Sequence, residues 1–253
     1  MKKEPKVVAV IQARLTSSRL PRKVLLTLGG KTVLEQVIDR IRLAKMVDEI
    51  VVAIPDNPWN RKLEEFVSRL KNVTLYKHPG SEAEVLQRTI CAAERSLADI
   101  IVDVTSDCPC VDPVLIDEMV ARLKADSEIG YVSNVIERSY PDGFDVQVYY
   151  TSMLKEINQF IILEDDRTHS GWNIAKYYYR FIKGEKSPLV LQSVIAPVKY
   201  IYPDMRVTLD TKEDYILLTK VFDHFDGSHF GYKTAIDFII DNDLYNPEAD
   251  KCT

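Results

Sequence analysis

The chain has 253 residues, enough for one large α/β domain that buries roughly three quarters of its extended surface and needs no disulfide staples. Its composition, 46% hydrophobic and 28% charged, is ordinary for a globular protein, and a net charge of −5 argues against a general nucleic-acid binder. No apolar run reaches the roughly 20 residues of a membrane span.

From the N-terminus, Val7–Gln12 is an apolar run read as a first buried strand. It is shorter than the roughly 7–15 residues of a signal-peptide core, and Arg14 follows at once. Glu49–Ile54, Val73–Tyr76 and Ile100–Val104 repeat the pattern expected of strands covered on both faces. Between them, Thr32–Ala44 places Val33, Leu34, Val37, Ile38 and Ile41 on one helical face, with Thr32 and Glu35 spaced as a capping box. Asn60–Leu70 reads as a second helix. Ser81 and Glu84 repeat the capping-box spacing ahead of a third, Glu84–Leu97, and Pro113–Lys124 opens a fourth with proline. This alternation predicts an α/β fold with a mostly parallel central sheet and helices on both faces.

Beyond about residue 130 the pattern loosens. Tyr131–Val135 and Asp145–Tyr150 read as strands around the turn Tyr140-Pro141-Asp142-Gly143, residues 151–183 as helical, and Leu189–Ala196 as a strand. Arg206–Leu209 reads as a further strand, followed by helices over Lys212–Phe225 and Tyr232–Asn242. The expected division is a single domain whose core, 1–130 and 200–253, encloses an acceptor-side or subunit-contact segment, 131–199.

The densest chemical signal is Gln12-Ala13-Arg14-Leu15-Thr16-Ser17-Ser18-Arg19-Leu20-Pro21-Arg22-Lys23, directly after the first strand. Open α/β sheets bind ligands at such carboxyl ends. Four cations this close repel one another unless an anion or solvent compensates, and a triphosphate suits forked arginine donors and a lysine point charge. A solvated basic loop is the bland alternative. Gly29-Gly30-Lys31-Thr32 resembles the tail of a Walker A loop, but Leu25 stands where that motif needs its first glycine, so the pair reads as a turn. Asp103 and Asp107 close the strand ending at Val104, and Asp210 sits where another segment turns into a helix. Each alone reads as a strand-end or capping residue. From distant segments, carboxylates of this kind suit Mg²⁺, which takes few carboxylates plus phosphate oxygens and water.

Together, Gln12-Ala13-Arg14 through Arg19-Leu20-Pro21 with Lys23, Gly80-Ser81-Glu82 with Val85, Leu86 and Arg88, Asp107-Cys108-Pro109, Asp142-Gly143-Phe144-Asp145 and Leu209-Asp210-Thr211 resemble the acylneuraminate and deoxy-octulosonate cytidylyltransferases. The likeness extends to their homologues from spore-coat polysaccharide synthesis. It implies a Rossmann-like nucleotidyltransferase fold, often dimeric, using CTP and Mg²⁺ to move CMP onto a small acidic sugar or phosphate-bearing acceptor. By motif, Arg14, Arg19 and Lys23 would hold the triphosphate and Asp107 and Asp210 the metal. Gln12, Ala13, Ser18, Gly80, Ser81 and Val85 would border the nucleotide, and Asp145 and His169 the acceptor. Two positions depart from the pattern: Arg22 stands where the family usually has glycine, and Ala83 where an acidic residue is frequent.

Two rival readings are a glycosyltransferase, for which Asp103 and Asp107 are too widely spaced to form Asp-x-Asp, and a nucleotide-binding protein without catalysis. Four cysteines, Cys91, Cys108, Cys110 and Cys252, form neither a disulfide framework nor a zinc pattern, which points to a reducing compartment, the cytoplasm. Expected partners are CTP and a small-molecule acceptor in a homodimer, with no nucleic acid and no membrane.

Overall fold

The computed structural model describes residues 3–161, 163–177, 190–227 and 229–245. One sheet of seven strands runs through the molecule in the order β5-β4-β1-β6-β8-β7-β9: β1 Val7–Gln12, β4 Glu49–Pro55, β5 Thr74–His78, β6 Ile100–Thr105, β7 Ile129–Ser133, β8 Gln147–Tyr150 and β9 Val190–Ser193. β1 pairs in parallel with both β4 and β6, and β5 with β4. β8 enters antiparallel to β6 and β7, and β9 returns parallel to β7. The expected mostly parallel α/β architecture is the observed one. The 131–199 segment supplies β8, β9 and most of β7, and so continues the same sheet.

Strand alternation separates two cores. Val7, Ala9 and Ile11 of β1 join a large cluster with Val33, Val37 and Ile41 of α1 (Val33–Arg42), Ile116 and Val120 of α4 (Pro113–Ala125), Val221 of α7 (Lys212–His224) and Ile236 of α8 (Tyr232–Asp241). Val8 and Val10 turn to the other face, against Leu86 and Ile90 of α3 (Val85–Arg95), Leu154 of α5 (Thr151–Asn158) and Ile174 of α6 (Trp172–Tyr177). α2 (Arg61–Val67) adds Leu63 and Val67 to the first cluster. Arg40 of α1 lies fully buried within that first face. Its Nε donates to the Val111 carbonyl at 2.7 Å, and its Nη2 to those of Cys110 (3.2 Å) and Phe230 (2.9 Å). The guanidinium carbon also sits 4.2 Å from the centre of the Phe230 ring, so one side chain ties α1, the loop before α4 and the approach to α8.

Local chemistry fixes the ends of the elements. Thr32 and Glu35 form the expected capping box of α1. Gly29 and Gly30, with φ of +50° and +79°, make the two-residue turn between β2 (Thr27–Leu28) and β3 (Lys31–Thr32), and Lys31 pairs with Asp39 at 2.6 Å. That hairpin accounts for the Walker-like tail. Ser81 and Glu84 do not cap α3, whose N-cap is Glu84 itself. Instead the Glu84 carboxylate accepts from the Ser81 N–H at 2.9 Å and the Ser81 hydroxyl from the Ala83 N–H at 3.2 Å, closing a turn just ahead of the helix.

The Arg206–Leu209 strand does not form. The segment makes a single parallel bridge, Asp142 to Arg206, because its backbone is engaged by turns rather than by a sheet edge: Val207 N–H donates to the Asp142 carbonyl and Leu209 N–H to that of Asp107. Gly143, at φ +114°, permits the contact; a Cβ there would lie 2.5 Å from the carbonyl carbon of Val207. The helical expectation over 151–183 resolves into α5, a 3₁₀ turn over Glu164–Thr168 and α6, and its end at 178–183 lies outside the described residues.

Candidate active site

The strand order sets the position of the site. From β1 the chain builds β4 and β5 to one side, then crosses back to place β6 on the other, so β1 and β6 flank a topological switch point. A crevice outside the carboxyl ends of such strands is where open α/β sheets bind ligands. Here a cleft of about 400 Å³ opens between the loop after β1 and the loop after β6. Gln12, Ala13, Arg14, Ser18, Arg19, Lys23, Val85, Asp107, His169 and Asp210 all line it, as do Arg88, Gln147 and Trp172.

The basic loop is folded back on itself: Arg22 N–H donates to the Leu15 carbonyl at 3.1 Å, and Leu15 N–H to the Asn60 side chain at 2.8 Å. Arg22 takes φ +58° and ψ 23° immediately before the Lys23–Leu25 3₁₀ turn. That left-handed conformation is open to glycine and costs other residues about 1 kcal/mol. Arg22→Gly is expected to raise the urea midpoint, by up to about 1 kcal/mol of stability, because the strain relieved exceeds the added freedom of the unfolded chain. A lowered midpoint would show Arg22 to be stabilising where it stands.

Lys23 Nζ donates to Asp107 Oδ2 at 2.6 Å and to Asp210 Oδ1 at 2.7 Å, and its side chain is 9% exposed. Two carboxylates 103 positions apart in sequence therefore converge on one point. The backbone brings them there: Leu209 N–H donates to the Asp107 carbonyl at 2.8 Å. Asp210 is free of capping duty because Thr211 and Asp214 form the capping box of α7. Arg19 (2.9 Å) and Arg206 (3.3 Å) reach the second oxygen of Asp210. Burial works against the Lys23 charge, but Asp107 and then Asp210 outweigh it and hold its pKa above the ordinary lysine value. Burial likewise opposes ionisation of Asp210, but Lys23, then Arg19 and Arg206, overcome it and lower its pKa.

These two carboxylates suit a hard divalent ion. Among the described residues no cluster of three or more His, Cys, Asp or Glu could form an all-protein cage. A pair of carboxylates beside a cationic loop is the donor set of Mg²⁺ shared with phosphate oxygens and water.

Arg88 is buried on the floor of the cleft, its Nε donating to Gln12 Oε1 at 2.6 Å. Burial, with Arg14 nearby, lowers its pKa to about 10. Arg14 itself is half exposed and 3.8 Å from Glu82. Gly80 and Ser81 do not line the cleft. They belong to the turn ahead of α3, where a Cβ on Gly80 would run into the Glu84 and His78 side chains.

A smaller hollow of about 210 Å³ adjoins the cleft, lined by Asp103, Thr105, Val135, Arg138, Asp145, Gln147, His169 and Trp172. Asp145 and His169 both line this hollow. Arg138 grips Asp145 through both guanidinium arms at 2.8 and 2.7 Å. Asp103, fully buried in β6, accepts from Tyr149 Oη at 2.8 Å, Gly171 N–H at 3.0 Å and the Ser170 hydroxyl, pinning the segment that carries His169 and Trp172. Sequence reasoning left Asp103 as a strand-end residue and missed Arg138, Gln147, Trp172 and Arg206. For Arg206 a signal was present, a cation four positions before an aspartate in an acidic stretch.

Burial, with Asp145 beside it, pushes the Asp142 carboxyl up to about 6 against the opposing pull of Arg138 and Arg206. Between about pH 4 and 6 the native protein then holds a proton that an unfolded aspartate has released, so this group's contribution to stability is present in acid and lost as pH rises through that window. Asp142→Asn removes this loss. The change in unfolding free energy from about pH 4.5 to about pH 7 should be more favourable in the variant than in the wild type. Identical changes would mean that Asp142 titrates normally.

Cys91, Cys108 and Cys110 carry free thiols, and Cys252 lies outside the described residues. Among the described residues no helix is long and apolar enough to cross a membrane.

Comparison with known proteins bears on the family and the fold. The chain is 30% identical over 214 residues to the spore coat polysaccharide biosynthesis protein SpsF of Bacillus subtilis (strain 168), covering 83% of each. It is 35% identical over 124 residues to the 3-deoxy-manno-octulosonate cytidylyltransferase of Geobacter metallireducens, covering 49% of this chain and 47% of the relative. A solved cytidylyltransferase from Leptospira borgpetersenii serovar Hardjo-bovis superposes with a TM-score of 0.84 at 28% identity, covering 95% of this chain and 96% of the other. Residues 8–159 match the family profile described as cytidylyltransferase, and with a nucleotidyltransferase-type sheet around that stretch the chain is an enzyme of the cytidylyltransferase family.

Proposed function

We propose that the protein transfers CMP from CTP to a small sugar-type acceptor bearing an acidic or phosphate group, releasing pyrophosphate, in surface polysaccharide or glycoconjugate synthesis. The observation that carries the reading is the convergence of Asp107 and Asp210 on the Lys23 ammonium, at the switch point and beside Arg14 and Arg19. Arg14, Arg19 and Lys23 bind the triphosphate and offset charge developing on the departing pyrophosphate. Asp107 and Asp210 hold Mg²⁺, which when bound polarises the α-phosphate and aids orientation. Gln12, Ala13, Ser18, Val85 and buried Arg88 form the nucleoside wall. Asp145, His169, Arg138 and Trp172 present the acceptor from the adjoining hollow, so the attacking oxygen enters opposite the leaving group. Positioning and charge neutralisation supply most of the acceleration. No side chain is assigned as general base, which an acceptor oxygen already anionic does not need. A homodimer working in the cytoplasm completes the proposal.

The test is pyrophosphate release from CTP, GTP, UTP and ATP against a panel of sugar acids and sugar phosphates, with MgCl₂ or with EDTA. The reading requires CTP-dependent, EDTA-sensitive release. Consumption of a nucleotide sugar without any triphosphate would replace it with glycosyl transfer, and nucleotide binding without turnover across the panel would favour a binding protein.

A further inference from the structure

Lys23 occupies the point at which the two carboxylates meet. Its ammonium lies 2.6 Å from Asp107 Oδ2 and 2.7 Å from Asp210 Oδ1, with Arg19 and Arg206 on the other oxygen of Asp210. A divalent ion bound by the same two oxygens at about 2.1 Å would fall within contact distance of that ammonium, and the two cations would repel. They compete for one place. Loop contacts fix the Lys23 backbone, its N–H donating to the Leu20 carbonyl and its carbonyl accepting from Leu26 N–H, so the exchange is a swing of the four-carbon stem alone.

We infer that Lys23 is a built-in cation placeholder that couples metal binding to triphosphate binding. The inference rests on the proposed metal and triphosphate sites and adds an order to their filling. Without phosphate oxygens to receive it, the ammonium stays on Asp107 and Asp210, and metal alone binds weakly. A triphosphate in the cleft draws the ammonium outward, and Asp107 Oδ2 and Asp210 Oδ1, relieved of it, take up the ion. Because binding linkage is reciprocal, metal raises nucleotide affinity by the same factor as nucleotide raises metal affinity. The placeholder also keeps two neighbouring carboxylates from facing each other uncompensated.

Mn²⁺, followed by electron paramagnetic resonance, serves as the metal probe, and α,β-methylene CTP as a nucleotide that cannot be turned over. Wild type is expected to bind Mn²⁺ at least about tenfold more tightly with the nucleotide than without it. Lys23→Met, which keeps the stem and removes the charge, should bind Mn²⁺ without nucleotide at least about tenfold more tightly than wild type, while binding the nucleotide less well. A lost phosphate ligand alone would weaken nucleotide binding and leave nucleotide-free Mn²⁺ binding unchanged, so the opposite signs identify the placeholder. Unchanged or weaker nucleotide-free Mn²⁺ binding in Lys23→Met would overturn the inference. So would equal Mn²⁺ affinity in wild type with and without nucleotide, a comparison that stands even where the variant fails to fold. Asp107→Asn separates the two levels: Mn²⁺ binding beside the nucleotide that survives this change would refute the metal site itself. Its loss, with no tightening in Lys23→Met, would refute only the placeholder.

Discussion

Asp107→Ala is expected to lower kcat on the order of a thousandfold while the protein remains folded. The loss is large because the residue contributes half of the proposed ion's protein ligands, and among the described residues no group of three or more His, Cys, Asp or Glu side chains is placed to hold a metal instead. Folding survives because the side chain is 27% exposed, and Lys23, its partner, keeps Asp210 at 2.7 Å. The Asp107 carbonyl, which accepts from Leu209, is untouched by the change. Lys23→Ala should cost less, about a hundredfold, since Arg14 and Arg19 continue to offset pyrophosphate charge. The measurement is pyrophosphate release at saturating CTP, with circular dichroism as the folding control. Turnover like that of the wild type in Asp107→Ala would remove the metal assignment from this residue.

Arg40→Ala is expected to destabilise the protein by about 4 kcal/mol, the largest single-residue effect outside the cleft. The carbonyls of Cys110, Val111 and Phe230 would lose their donor in a region closed to water, and a guanidinium-sized void would open beneath the Phe230 ring. Burial lowers the Arg40 pKa against the opposing pull of Cys110 and Asp112. Arg40→Lys should recover only part of the loss, because one ammonium cannot reproduce a planar fork reaching three acceptors. Urea midpoints at constant m-value measure both changes. A loss within about 0.5 kcal/mol for Arg40→Ala would mean that the carbonyls find other donors.

The sheet was legible in the chain because its central strands are buried on both faces and their apolar runs are nearly continuous, so β1, β4 and β6 could be read nearly to the residue. The α1 boundary was legible through threonine followed three positions later by an acid, a pattern with a direct hydrogen-bonding meaning; α7 opens on the same pattern, Thr211 and Asp214, where the sequence alone offers Asp210 as the cap. The same pattern misled at Ser81, where Glu84 bonds back to a turn one step ahead of the helix. Arg206–Leu209 misled for a different reason: an alternating segment becomes a strand only when an edge is available, and here a glycine turn and Asp107 take its backbone. Within the cleft, the cations announced themselves by their clustering, and the two acids only through the motifs of the family resemblance. Trp172, Gln147 and Arg138 did not, because nothing local in an aromatic, an amide or a lone arginine tells which wall it will face.

The hydrogen bond from Leu209 to Asp107 has a bearing on how the molecule comes into being. A growing polypeptide can pair β1 with β4 and β6, and β4 with β5, once residue 105 has emerged, since those strands follow one another in sequence. The ion-binding corner has no such early start. Half of it arrives with residue 210, after a further hundred positions have been threaded through β7, β8 and β9, and long-range closures of this kind are entropically slow. Catalytic competence is therefore among the last properties a newly made molecule acquires, because a polypeptide halted before residue 210 lacks one of the two carboxylates that meet at Lys23.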